Sequence, residues 1–242
     1  MNQNNRPEII LVNTQIPENL GSVARAMLNF KSEKLRIVSP LFDLANEKIL
    51  PLSAGADKVI RNIKKFNTFE ESIKDFNILV AITNRIRSIK KTQIDFDELY
   101  KLILNLSNNI GLVFGPENSG LNNNHISMCD FVLKINTNSD FSSLNLSHAV
   151  SIVAYEIMQR DCFKKKFKQS NEKKSQATKE ELLNFYKILE DNLDKTNFFL
   201  VKEREKIIRQ KIRNIFNKLV LTSNDVATLL GIIKSLTKNN QK

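Results

Sequence analysis

Short, mostly apolar runs punctuate the first two thirds of the chain: EIILV at residues 8–12, LRIV at 35–38, ILVAI at 78–82, GLVF at 111–114 and FVLKI at 131–135. Runs of four to six residues with no polar alternation are the pattern of strands buried on both faces, and such strands belong to a parallel sheet covered by helices. Strands are therefore predicted over 8–13, 35–39, 77–83, 111–114 and 131–135, with a weaker one at 64–66. Amphipathic stretches lie between them and predict helices over 20–30, 69–74, 96–106 and 123–128. A longer helix is predicted over 145–161, where Leu146, Ala149, Val150, Val153 and Ile157 recur at helical spacing. This alternation, kept up to about residue 160, defines an α/β domain.

The pattern then changes. Residues 163–179, FKKKFKQSNEKKSQATK, are polar and basic and carry no periodicity, which reads as a linker or arm. Beyond it three helices are predicted over 180–192, 203–219 and 225–236, the last with Thr222 or Ser223 as N-cap. The middle one puts Ile207, Ile208, Ile212, Ile215, Phe216 and Leu219 on one face, a stripe read as core packing. Lys206, Arg209, Lys211, Arg213 and Lys218 surround it. The division is thus an α/β domain over 1–162, a basic linker over 163–179 and a helical C-terminal extension over 180–242.

Charge sharpens that division. Lys and Arg number 37 against 26 Asp and Glu, a net charge of +11. Residues 1–160 hold 18 basic and 16 acidic side chains, whereas residues 161–242 hold 19 and 10. A surplus of this size fits a polyanionic partner gripped by the second segment; lysine-rich solvated helix faces are the competing explanation. Two cysteines and two histidines exclude a disulfide framework and a zinc cluster, so no metal is expected. No apolar run approaches membrane-spanning length, and the start MNQNNRPE lacks the apolar core of a signal peptide. The expectation is a soluble, cytoplasmic protein with no membrane partner.

Three loops carry candidate chemistry. After the first strand, IPENLGSVARAM places Asn19, Gly21 and Arg25 across a loop-to-helix junction, where backbone N–H groups and a guanidinium suit a phosphate or carboxylate. Read alone, Gly21 relieving crowding and Arg25 in a surface ion pair would explain the same residues. After the strand at 111–114, FGPENSGL has Gly115, Pro116 and Gly120, a tight loop at the strand end where open parallel sheets bind ligands. No Walker loop and no G-x-G-x-x-G is present. The third segment, INTNSDFSSLNLSHAV, runs a polar loop with Ser142 and Ser143 through Leu144 and Asn145 into the long helix, where capping alone would also explain the polar residues. His148 reads as a packed or surface histidine rather than a base.

Taken in order, these segments resemble the motifs of the SpoU (SPOUT superfamily) RNA 2′-O-ribose methyltransferases, over nearly all of residues 7–160. Within that family NLGSVARAM, ILVAITNRIR, LVFGPENSGL and FSSLNL are most similar to the bacterial tRNA (cytidine/uridine-32) 2′-O-methyltransferases, which also carry a helical C-terminal extension. The resemblance implies a trefoil knot at the C-terminal end of the α/β domain, a homodimer with the active site completed across its interface, and S-adenosyl-L-methionine as methyl donor. It implies donor contacts from Ile82, Thr83 and Asn84, from Gly115, and from Ile135, Ser142, Ser143, Leu144 and Asn145, with the adenine near Ile135 and Leu144. One departure stands out: Asn136 occupies a position where relatives often have proline, which loosens the backbone there without removing a donor group.

The implied reaction is attack of a ribose 2′-hydroxyl on the sulfonium methyl, with cytidine or uridine 32 of the tRNA anticodon loop as substrate. The resemblance makes Arg25, Asn19, Glu117 and Asn145 the catalytic set. Arginine stays protonated in proteins, so Arg25 is expected to fix the neighbouring RNA phosphate and stabilise the developing alkoxide, with Asn19 bracing it and Glu117 and Asn118 shaping the loop. Arg85, Arg87, Lys164, Lys165 and Lys166, with the C-terminal helices, are the candidates for RNA contact. Ribosomal RNA or another tRNA position as substrate, and a catalytically silent RNA-binding protein of the same fold, are the alternatives.

Overall fold

The computed structural model describes residues 6–85, 89–163 and 176–238. In chain order its elements are β1 (Glu8–Val12), α1 (Pro17–Asn29), β2 (Leu35–Val38), α2 (Ile49–Ser53), α3 (Asp57–Arg61), β3 (Lys64–Phe66), α4 (Phe69–Ile73), β4 (Ile78–Ile82), β5 (Thr92–Ile94), α5 (Phe96–Leu104), β6 (Ile110–Phe114), α6 (Asn123–Met128), β7 (Phe131–Leu133), α7 (Leu146–Phe163), α8 (Lys179–Lys195), α9 (Lys202–Asn217) and α10 (Ser223–Lys238). The strands form one seven-stranded sheet in the order β3-β2-β1-β6-β4-β7-β5, and every pairing is parallel.

The central strands β1, β4 and β6 are buried along their whole length, which is why their sequences show no alternation. Successive side chains nevertheless point to opposite faces. Ile9 and Leu11 of β1, with Ile78 and Val80 of β4, pack under α1, α5 and α7 through Val23, Met27, Leu99, Ile103, Val150 and Val153. Ile10 and Val12 join Leu79, Ala81 and Val113 on the other face, covered by Phe69 and Ile73 of α4 and Ile126 and Met128 of α6. The domain is thus three layers, helix–sheet–helix.

The C-terminal helices have a small core of their own, in which Leu182, Phe185 and Tyr186 of α8 meet Phe216 of α9 and Val226 of α10. They are also tied to the sheet. Lys179 Nζ lies 2.5 Å from Asp130 Oδ1, both side chains buried, while Asp130 Oδ2 accepts the backbone N–H of Leu79 at 2.7 Å. The Glu180 N–H donates to the Lys74 carbonyl at 2.7 Å, and Asn217 Nδ2 donates to the Ser127 carbonyl at 2.5 Å. Tyr186 closes the joint by donating its hydroxyl to Asn217 Oδ1 at 2.9 Å. Cys129 sits beneath this joint, its thiol pushed up to about 12 by burial, so it is an inert packing group rather than a nucleophile.

Several expectations need correction. A seventh strand, β5, lies at the sheet edge, where only Ile94 of its three residues is buried. Two five-residue helices, α2 and α3, fill the stretch between β2 and β3. The strand expected over 131–135 stops at Leu133, because the N–H of Ile135 is taken by the Asn84 side chain at 3.1 Å rather than by a neighbouring strand. Within 163–179, the last residues are packed: Gln176 bridges to Thr222 and Lys179 is buried. The apolar stripe expected over 203–219 is core only in part: Phe216 packs inward, Ile207 and Ile215 of α9 are exposed, and Leu219, beyond the end of that helix, is exposed too. Among the described residues no helix is long and apolar enough to cross a membrane.

Candidate active site

A cavity of about 270 Å³ opens beyond the carboxyl ends of β4, β6 and β7, three neighbouring strands. Its wall comes from three separate loops. Ile82 ends β4 and Thr83, Asn84 and Arg85 follow it; Phe114 ends β6 and Gly115, Pro116, Glu117 and Gly120 follow it; Ile135, Ser142, Ser143 and Leu144 lead from β7 into α7, whose Leu146 and Ala149 complete the wall. Parallel sheets bind ligands at this end because the strand carboxyl ends and the helix starts leave backbone groups unpaired there.

Local chemistry explains each loop. Gly115 is required by close approach: a Cβ there would fall 2.3 Å from the Leu121 nitrogen and 2.5 Å from the Gly120 carbonyl carbon. Gly120, at φ +63°, takes the left-handed conformation that favours glycine, and its N–H donates to the Pro116 carbonyl at 2.9 Å. Asn84 ties the first loop to the third, its Oδ1 accepting from Ile135 and its Nδ2 donating to Thr137 Oγ1 at 3.1 Å and the Ser142 carbonyl at 3.3 Å.

A second chain of hydrogen bonds joins all three sequence motifs. Glu117 accepts from the backbone N–H groups of Gln15 at 3.0 Å and Ile16 at 3.4 Å, and from Asn19 Nδ2 at 2.7 Å. Helix α1 has no side-chain cap of its own, so a carboxylate from about 100 residues away serves its start, where negative charge is favoured. Asn19 Oδ1 then accepts from Asn145 Nδ2 at 2.9 Å, and Asn145 Oδ1 accepts from the Ser147 N–H at 2.8 Å and hydroxyl at 2.7 Å.

The expected residues are therefore distributed in three ways. Ile82, Thr83, Asn84, Gly115, Ile135, Ser142, Ser143 and Leu144 line the cavity together, and Glu117 and Arg85 line it too. Asn19 and Asn145 are not part of its wall and belong to the hydrogen-bond chain, Asn19 buried and Asn145 exposed. Arg25 does neither: it is exposed on α1, is not part of the cavity wall, and among the described residues makes no hydrogen bond or ion pair. Asn19 does not brace Arg25 as expected; its partners are Glu117 and Asn145. Gly21 is a contact glycine, since a Cβ would lie 2.1 Å from the Ile49 carbonyl oxygen of α2. His148 is exposed. Arg87, Lys164, Lys165 and Lys166 lie outside the described residues. The reading of the sequence missed Phe114, Leu146 and Ala149 as wall residues; the place of Phe114 at the end of its strand and of the other two in the apolar stripe of α7 was the available signal.

A parallel α/β domain with a cavity at its strand ends defines a protein that can hold a small ligand at the carboxyl edge of its sheet. Comparison with known proteins specifies which kind. The sequence model of the SpoU rRNA Methylase family matches residues 7–155, and the chain belongs to this SpoU methylase family. It is 32% identical over 229 residues to the tRNA (cytidine-2′-O-)-methyltransferase TrmJ of Methanocaldococcus jannaschii, covering 93% of this chain and 97% of that one. It is 31% identical over 237 residues to the tRNA (cytidine/uridine-2′-O-)-methyltransferase TrmJ of Salmonella typhimurium, covering 96% and 97%. Among solved structures, TrmJ from Z. mobilis superposes with a TM-score of 0.87 at 32% identity, covering 96% of this chain and 99% of that one.

Proposed function

We propose that this chain is a tRNA 2′-O-ribose methyltransferase that takes its methyl group from S-adenosyl-L-methionine and acts on cytidine or uridine 32 of the anticodon loop. The observation that carries the reading is the extent of the likeness: 96% of this chain matches TrmJ relatives, so the C-terminal helices agree as well as the α/β domain. Agreement of the α/β domain alone would speak for the chemistry and leave the RNA open.

The cavity fits the donor. It combines an apolar side, from Ile135, Leu144, Leu146 and Ala149, with the hydroxyls of Thr83, Ser142 and Ser143 and two charged groups, Arg85 and Glu117. A zwitterion with a flat ring system needs such a mixture, and 270 Å³ lies near the lower end of small-ligand sites, roughly 300–1,000 Å³. Bound there, S-adenosyl-L-methionine supplies a methyl group already activated on a sulfonium. What the protein adds is alignment and charge management. Ile82, Thr83 and Asn84, Gly115, and Ile135 with Ser142 to Leu144 hold the donor. Asn19, Glu117 and Asn145 keep the β6 loop and the start of α7 in register with α1. Arg25 positions the RNA phosphate beside the reacting ribose and stabilises the oxygen as its proton leaves for that phosphate or for water.

A homodimer and a trefoil-knotted sheet end belong to the same reading. Because Arg25 stands outside the cavity wall of its own chain, the reading requires it to act across the dimer interface. Arg25→Lys is expected to lose most of the turnover, at least about 100-fold as for lost charge-stabilising donors, with donor affinity unchanged. Single-turnover rates and calorimetric titration check this, and an active Arg25→Lys enzyme would count against bidentate positioning.

The name of the matched family, which speaks of rRNA, favours ribosomal RNA as the second reading. Transfer of labelled methyl to total tRNA and to ribosomal RNA, followed by mapping of the modified ribose, separates the two. Label at tRNA position 32 supports the first, and label in ribosomal RNA the second. Donor binding without transfer to either RNA points to a silent RNA-binding protein.

A further inference from the structure

Among the described residues two charged side chains line the cavity, Glu117 and Arg85, and they differ in what is left for a ligand. Both oxygens of Glu117 are already engaged by Gln15, Ile16 and Asn19. Among the described residues Arg85 makes a single side-chain hydrogen bond, from Nη2 to the Asn118 carbonyl at 2.5 Å. A guanidinium has five N–H donors in a planar fork, so one bond leaves a complete two-donor edge, the shape a carboxylate accepts. Its backbone is held as well, the Arg85 N–H donating to Thr83 Oγ1 at 3.3 Å. The stem passes over Gly120, with Cδ 3.5 Å and Nε 3.6 Å from where a Cβ would be. Arg85 is thus clasped across the β6 loop, with its head on the wall of the cavity.

We propose that Arg85 binds the carboxylate at the amino-acid end of the methyl donor, making it the group that recognises the donor's anionic tail. The inference rests on the donor reading above. Two features favour a donor contact over an RNA phosphate. Arg85 is part of the cavity wall itself. It also stands on the β4 loop, whereas the apolar side suited to the ring comes from the β7 loop and α7, so the two ends of the ligand meet opposite kinds of surface.

The test titrates the full chain with S-adenosyl-L-methionine and with its decarboxylated analogue, for wild type, Arg85→Met and Arg85→Lys, with tRNA affinity measured by filter binding and folding checked by thermal melting. Wild type is expected to prefer the carboxylated donor by about tenfold or more, as one charge-assisted contact confers. Arg85→Met should lose that preference while melting like wild type and binding tRNA within about twofold, and Arg85→Lys should recover part of it. Wild type that binds both compounds equally overturns the carboxylate contact alone. Arg85→Met that keeps the preference but loses tRNA affinity overturns it in favour of a phosphate contact. Wild type that binds neither compound overturns the donor reading and this inference with it.

Discussion

Asn19 shows how much one side chain can join. It lies in the first turn of α1, is buried, and uses both ends of its amide: Nδ2 to Glu117 and Oδ1 from Asn145. Replacing it by alanine leaves Glu117 with two donors and Asn145 Nδ2 without its acceptor. Asn19→Ala is expected to cost about 1–3 kcal/mol of stability, the range for a buried polar group stripped of its partner, and to weaken donor binding several-fold because the β6 loop and the start of α7 lose the brace that joins them through α1. Urea unfolding and donor titration check both effects; loss of stability with unchanged donor affinity would make the network structural only. The residue types at this site were legible in the sequence, and their partnerships were not. Asn19 pairs with a residue 98 positions away and another 126 away, and nothing in local spacing encodes such pairs. Arg25 is the complementary case: its motif drew attention, yet the folded chain leaves it on the surface.

The elements were legible in proportion to their burial and length. Strands β1, β2, β4 and β6 announced themselves as apolar runs because both of their faces are covered. Strand β5, TQI, is short and exposed at two of three positions, so it has no hydrophobic signature and pairs with β7 only because the fold brings it there. Helices α2 and α3 are five residues each, too short for a periodicity, and α2 ends at Ala54 in a left-handed conformation. Their importance appears in the contact of α1 with α2, which Gly21 makes possible. Gly21→Ala would drive a methyl group to 2.1 Å from the Ile49 carbonyl oxygen, and α1 must shift to relieve it. The expected cost is about 1–3 kcal/mol, the range for overpacking. Thermal unfolding reads that loss, together with weaker donor binding because α1 carries Asn19; a variant as stable as wild type would mean that α2 yields without consequence.

At the scale of the whole molecule, the joint between the α/β domain and the C-terminal helices decides most. Lys91, half-buried, turns its ammonium inward onto the Ser127 carbonyl at 3.0 Å, which also accepts from Asn217 at 2.5 Å. Burial pulls its pKa down to about 8, against the attraction of Asp130 and with the repulsion of Lys179 and Lys218. The unfolded chain therefore holds this proton more tightly than the folded one between about pH 8 and 10.5. Below that window the charged lysine burdens the fold by about 3 kcal/mol, and the burden lifts as pH rises through it. Lys91→Met leaves the Ser127 carbonyl bonded to Asn217 and the Asp130–Lys179 pair intact, so the variant is expected to be more stable than wild type at pH 7, with the advantage shrinking by pH 10. Urea midpoints of both proteins at the two pH values check this, and a difference independent of pH would show that packing rather than charge sets it.

What the sequence determined by itself is what neighbours along the chain can encode. Apolar runs specified an α/β sheet, periodicity specified the long helices, and the order of three short motifs pointed to a methyltransferase family before any contact was known. Tertiary structure alone decided how those pieces meet: that Glu117 serves the start of α1, that Asn145 answers Asn19, that Arg85 closes over Gly120, and that Lys179 anchors the C-terminal helices on Asp130. The physical reason is common to all four. Each is a polar contact between residues 33 or more positions apart, and a polar side chain at a strand end or helix start has no local pattern that tells it which distant donor or acceptor folding will set beside it.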